Sequence, residues 1–185
     1  MIRRVSAPGL DEGAAAGVDA NIFILTKKAA RVTKFDDDLQ ELIANMIETM
    51  FDAPGAGLAA NQIGVCKRVV VINTSEQEKD ADRQAIALIN PEILQGEGSQ
   101  IDVEGCLSVI DYSTKVERFL KVTVRAQDAG GETREFEAEE FFARVIQHEC
   151  DHLEGKLFID RISSLKRGLY KKRLKKILAE EQEKS

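Results

Sequence analysis

Apolar residues recur at helical spacing in three stretches of the chain and at alternate positions in others, and these two periods divide it. Leu39, Ile43, Met46, Ile47 and Met50 fall three or four residues apart with charges between them. That predicts an amphipathic helix capped by Asp36 or Asp37 and stopped by Pro54 and Gly55. Phe141, Phe142, Val145, Ile146 and Leu153 mark a second helix, opening near Glu139 or Glu140 and closing at Gly155. Leu165, Leu169, Leu174, Ile177 and Leu178 mark a third, capped by Ser163 or Ser164. Between the first two the period shortens. Lys67–Asn73 is expected to be a buried strand and Gln84–Asn90 a second, with Pro91 beginning a short extended piece over residues 92–96. From Leu120, alternation on both sides of Asp128–Gly131 predicts a β-hairpin. Residues 21–35 are mixed and expected to add an edge or short strand, residues 74–83 are a polar loop, and residues 1–20, rich in Gly and Ala, a loop or partly mobile terminus. The layout is α+β: antiparallel strands and hairpins packed around a central helix, with an N-terminal helix and a C-terminal amphipathic helix.

At 185 residues the chain has room for one well-buried core, so a single domain over 1–185 is expected, its last helix covering 163–182. No apolar run approaches the roughly 20 residues that a membrane helix needs. The start, MIRRVSAPGL, lacks the apolar stretch of a secretory signal, and three cysteines at irregular spacing suggest no disulfide framework. A reducing compartment follows: the cytoplasm of a bacterial-type cell, or an organelle descended from one. The net charge of −6 is unevenly spread. From Arg161 to Ser185 there are nine Lys/Arg against three Asp/Glu, leaving −12 on the rest. An acidic body argues against DNA or other nucleic acid there, whereas the basic tail suits an anionic partner.

Both histidines of the chain lie in the second helix, within QHECDHLEG (Gln147–Gly155). His148, Glu149 and His152 form H-E-x-x-H. At about 100° per residue, a spacing of four returns to nearly the same helical face. Two imidazoles one turn apart can grip one metal ion while the glutamate reaches its bound water. A third ligand is needed. Glu154 lies on the wrong face, and Cys150 is roughly 200° around the helix from His148. Cys106, Cys66 or a distant carboxylate remain. Cys106 stands out because Glu-Gly-Cys-Leu-Ser reads as a tight exposed turn. The Gly-rich GAGLAANQIG (Gly55–Gly64) lacks the ending of a phosphate loop, and its glycines suit a close backbone approach or positive φ.

GAGLAANQIG, EGCLS and QHECDHLEG, in that order, resemble the three signature motifs of the peptide deformylases, over roughly residues 21–178. The resemblance implies a mononuclear metallohydrolase that removes the formyl group from the N-terminal formyl-methionine of newly made chains. It places the metal ligands on Cys106, His148 and His152, the general acid/base on Glu149, and the oxyanion donors on the Gln62 amide and the Leu107 backbone N–H. The substrate would lie along Gly55, Ala56, Gly57 and Leu58, with Gly105, Phe141, Arg144 and Val145 around it. Glu104 would stand behind the ligands, and Arg118 and Asp151 would form an ion pair there. Fe(II) is implied, with zinc, nickel or cobalt as substitutes, and docking of the basic tail at the ribosome, the other reading of that tail being the wet face of a packed helix; a monomer is expected. Two rivals share H-E-x-x-H: a zinc endopeptidase, and a binding module with a structural metal. A third is a deformylase-like hydrolase with an altered pocket.

The chain departs from the family pattern around that pocket. Ile110 stands where proline is frequent, Asp111, Tyr112 and Ser113 where an arginine or aromatic residue often lies, and Glu117 replaces a common proline. Ala56 is small, and Arg144 occupies a position usually apolar, so its guanidinium is expected to turn outward or toward an acidic group.

Overall fold

The computed structural model describes residues 26–75, 84–109 and 111–182. The expectations for residues 1–20, for Ile110 and for most of the polar loop at 74–83 lie outside those residues. Helix α1 runs Asp37–Asp52, with the Asp36 carboxylate accepting the Leu39 N–H at its start. Leu39, Ile43, Met46 and Met50 are its buried stripe, each contributing about 2 kcal/mol by leaving water. Strand β1 (Gly57–Ala59) and a 3-10 turn (Ala60–Ile63) follow, then β2 (Val69–Asn73) and β3 (Ala85–Glu97). β4 (Gln100–Gly105) pairs with β5 (Ser113–Arg118) as a separate two-stranded sheet. β6 (Lys121–Gln127) and β7 (Thr133–Glu139) lead into helix α2 (Glu140–Leu153); another 3-10 turn (Phe158–Arg161) leads into helix α3 (Ser164–Gln182).

The larger sheet is antiparallel in the order β1-β2-β3-β6-β7. Strand β2 explains how the two long helices are arranged. Val69 and Val71 pack with the α1 stripe, while Val70 and Ile72 pack with Ala143, Val145, Ile146 and Leu153 of α2. Successive side chains leave a strand on opposite faces, so α1 and α2 cover opposite faces of the sheet. The unbroken apolar run of β2 records burial on both sides.

Several expectations are corrected. Gln84–Asn90 and the extended piece after Pro91 are one strand. Pro91 is tolerated because the register with β6 shifts between Ile89 and Glu92, and Asn90 takes φ 52° at the irregularity. Of the edge or short strand expected over residues 21–35, residues 21–25 lie outside the described residues, and residues 26–35 hold only an isolated parallel bridge from Ala30 to Lys67. The β4–β5 hairpin was not foreseen. On α3, Leu165 (73% exposed) and Leu169 face solvent, and the helix is held instead by Tyr170 and Leu174 against Val109, Tyr112, Val116 and Phe158. Ser163 does cap it, accepting from the Lys166 N–H.

Candidate metal centre

Three elements meet at the site. Helix α2 brings His148, Glu149 and His152, and the end of β4 brings Cys106. β1 and its 3-10 turn bring Gly57 and Gln62. The ligand atoms of Cys106, His148 and His152 all lie within 4.8 Å of one another. Cys106 Sγ is 3.3 Å from His152 Nε2. For a tetrahedral ion with ordinary Zn–S and Zn–N bonds that edge is about 3.6 Å, so the donors nearly have the spacing a metal requires. Cys66 is elsewhere, its Sγ donating to the Lys28 carbonyl. Cys150 packs into the core beneath α2, where burial pushes its thiol up to about 12. Glu154 pairs with Lys28 and Arg68.

The surroundings fit a metal in two further respects. His148 Nδ1 lies 3.0 Å from Glu104 Oε2, which leaves its Nε2 for an ion. Glu149 Oε2 is buried without a hydrogen-bond partner among the described residues. A carboxylate oxygen left alone in the interior is costly unless something in the cavity engages it. Burial holds the Glu149 carboxyl up near 7 against the pull of His148. In the metal-free protein burial and the charge of His148 press His152 down to about 3. Contacts with Cys106 and Glu104 outweigh burial at His148 and lift it to about 10.

Gly57 has a steric reason. A Cβ there would come within 2.9 Å of Glu149 Cγ and Oε1 and of Val145 Cγ1, so β1 can lie on α2 at this level only without a side chain. Gly64 takes φ 90°, closing the 3-10 turn. Within that turn Gln62 Oε1 accepts the Ala59 N–H, which aims its Nε2 at Cys106 Sγ (3.7 Å) and Ser108 Oγ (3.2 Å). The Ser108 N–H also points at Cys106 Sγ, at 3.4 Å. Asn61 donates to the His152 carbonyl.

A cavity of about 610 Å³ opens beside these groups. Gly55, Ala56, Gly57, Gln62, Glu104, Gly105, Cys106, Leu107, Phe141, Arg144, Val145, His148 and Glu149 all line it, as do Tyr112 and Ser113. Leu58 does not. Its side chain turns to the opposite face of the sheet and packs with the α1 cluster. Phe141, expected on the packed side of its helix, stands at the cavity mouth 66% exposed.

Arg144 is buried and turned to an acidic group: its Nη1 donates to Glu104 Oε1 at 2.6 Å and to the Val116 carbonyl, its Nη2 to the Gln100 carbonyl. Arg118 lies behind it, donating from Nε and Nη2 to both Glu104 oxygens (2.9 Å each) and from Nη1 to Asp151 Oδ2 (2.5 Å). Burial alone would raise the Glu104 pKa, but Arg118 and His148 hold it well below the usual carboxylate range. Arg118 and Asp151 thus pair, and Glu104 joins them to His148. No sequence signal pointed to Arg161, which closes on Asp151 from outside through Nε and Nη2 at 2.5 Å each.

The polypeptide deformylase family model matches residues 17–168. A peptide deformylase from Desulfotalea psychrophila is 48% identical over 153 residues, 83% of this chain and 90% of that protein. One from Thermodesulfovibrio yellowstonii is 48% identical over 152 residues, 82% and 91% of the two chains. A crystal structure of a peptide deformylase from Legionella pneumophila superposes with a TM-score of 0.76 at 43% identity, covering 86% of this chain and 92% of that one.

Proposed function

From the premise that the chain belongs to the polypeptide deformylase family, metal-dependent hydrolases that remove the N-terminal formyl group from nascent peptides, we propose how its own residues divide the work. Cys106, His148 and His152 hold the ion, and Glu149 moves the protons. The observation that carries this is the meeting of one thiol and two imidazoles, drawn from two elements, beside a buried glutamate with an unpartnered oxygen. Three protein ligands leave a position open, as a catalytic rather than a structural ion requires. The thiolate suits a soft or borderline metal, and Fe(II) is the ion we assign, with zinc, nickel or cobalt as substitutes.

When bound, the ion supplies Lewis acidity, making water nucleophilic near neutral pH and polarising the formyl oxygen. The chain supplies the rest. Glu149 accepts the proton from the attacking water and returns it to the departing amine nitrogen, so that a formyl amide and water become formate and a free N-terminus. Gln62 Nε2 and the Leu107 N–H donate to the oxyanion, each worth about 3 kcal/mol in comparable sites. The peptide lies along the backbone of Gly55, Ala56, Gly57 and Leu58, with Gly105, Phe141, Arg144 and Val145 around the methionine side chain. Arg144 presents its aliphatic stem there, because its guanidinium is engaged with Glu104. Glu104 fixes the His148 tautomer, with Arg118 and Asp151 behind it.

The same reading gives one catalytic domain acting as a monomer in the cytoplasm. The exposed basic face of α3, with Lys166, Lys171, Lys172, Arg173 and Lys175, docks the enzyme near nascent chains at the ribosome. The test is anaerobic purification, identification of the metal, and assay of formate release from formyl-Met-Ala-Ser. The wild type should release formate and leave unformylated peptides intact. Robust release by Glu149→Ala would remove Glu149 from its role, and cleavage of internal bonds would turn the reading to an endopeptidase.

A further inference from the structure

The buried charges behind the ligands do not end at Asp151; they reach the surface through one residue. Asp151 Oδ1 accepts from Arg161 Nη2, and Asp151 Oδ2 is shared between Arg161 Nε and Arg118 Nη1. Arg118 spends its remaining donors Nε and Nη2 on Glu104, whose Oε2 faces His148 Nδ1. Asp151, Arg118 and Glu104 are all buried, whereas the Arg161 side chain is 44% exposed, at the end of the 3-10 turn that delivers α3.

We propose that Arg161 is a positioning residue for the metal centre: by closing both oxygens of Asp151 from outside, it keeps Arg118 seated squarely on Glu104 and hence His148 aimed at the ion.

The geometry explains why a half-exposed arginine has that reach. A planar guanidinium donates along fixed directions, so Arg118 cannot turn toward Asp151 without lifting off one Glu104 oxygen. Without the Arg161 donors, Asp151 keeps Arg118 as its one side-chain partner among the described residues, on Oδ2, and no side chain holds Oδ1. The cheapest remedy is for Arg118 to rotate toward it. Glu104 then keeps Arg144 on Oε1 but loses the contact that orders Oε2 against His148. Groups that hold a ligating histidine commonly control metal affinity and activity by 10–100-fold. Arg161 acts through two intermediaries, so the lower end is expected. The inference rests on the metal-ligand reading above.

The test compares the full-length wild type with Arg161→Met, which keeps the stem and removes the donors, and Arg161→Lys, which restores charge without the two parallel bonds. Each is loaded with Co(II), and the visible spectrum, Co(II) dissociation constant, kcat and KM are measured beside thermal stability. Arg161→Met should bind Co(II) about tenfold more weakly, shift the Co(II) bands and lose about tenfold in kcat at an unchanged KM. Arg161→Lys should fall between it and the wild type. A variant that melts earlier but keeps the wild-type spectrum, affinity and kcat would overturn the proposal, leaving Arg161 a fold contact. So would failure of both variants to fold. A wild-type chain that bound no Co(II) would overturn the metal-ligand reading itself and take the inference with it.

Discussion

Replacing Glu149 by glutamine probes the electrostatics and the chemistry of the site with one atom changed. Glu149 is 4% exposed, and burial outweighs the favourable charge of His148, so in the metal-free protein its carboxyl titrates at about 7 rather than 4.5. A group that holds its proton longer when folded couples folding to proton uptake. Below 4.5 the carboxyl is protonated in the folded and the unfolded chain alike, and wild type and variant differ by a constant. As the pH rises from 4.5 to 7, the unfolded chain releases the proton and the folded chain keeps it. The wild type therefore loses stability across that window, and the loss is complete above 7. At 1.36 kcal/mol per pH unit, the interval amounts to about 3 kcal/mol. Urea unfolding of both metal-free chains between about pH 4 and pH 8 measures it, because the difference cancels the other groups that titrate in both. Glu149→Gln should gain about 3 kcal/mol relative to wild type on going from acid to alkaline pH. A difference curve flat across that range would refute the reasoning, since Glu149 would then be no harder to ionise in the fold than out of it. In the loaded enzyme the same change removes the proton acceptor, and kcat should fall by roughly 10²–10⁴.

Gly57→Ala places a methyl group 2.9 Å from Glu149 and Val145, and kcat should fall at least about tenfold while far-UV circular dichroism stays that of the wild type. Arg144→Ile removes one partner of a buried charge pair but leaves Arg118 on Glu104. It should cost about 3 kcal/mol in chemical unfolding and reorder kcat/KM among formyl-peptides differing in their first residue; an unchanged order would free Arg144 from any part in the pocket. Tyr170→Ala empties the space against Tyr112, whose ring centroid lies 4.7 Å away, and should cost about 3 kcal/mol in thermal or urea unfolding. Ribosome binding should weaken steeply with salt and be lost on truncation after Ile162; a truncated chain that keeps its affinity would assign the contact to another surface.

What was legible in the chain was what obeys a single period. Helix α1 was readable from Leu39 to Met50, and α2 from its paired histidines, because one face of each meets one environment. The β4–β5 hairpin was hidden because its phase is inverted: Ile101 and Val103 point outward, while the buried side carries Glu104 and Arg118. Leucines misled on α3 for a related reason, since Tyr170 and Leu174 hold that helix while Leu165 and Leu169 face solvent. Leu58 followed the motif but not the pocket, because alternate residues of β1 must face opposite ways. Cys106, the candidate third ligand, stood out by its turn-like neighbours, but only the resemblance chose it over Cys66 or a distant carboxylate. Nothing in local spacing joins Cys106 to a histidine 46 residues on.

That separation makes the centre depend on two units of the chain at once. The imidazoles are one helical turn apart and stand ready as soon as α2 forms, but the thiol arrives only when the β4–β5 hairpin docks. Two imidazoles make a weak chelate, and closing a ring of some forty residues through Cys106 converts loop-closure entropy into metal affinity. The full donor set therefore exists only where α2 and the β4–β5 hairpin meet. Neither the five-stranded sheet nor α1 supplies any of the three donors, so the centre is a junction of the fold and not a part of its main sheet.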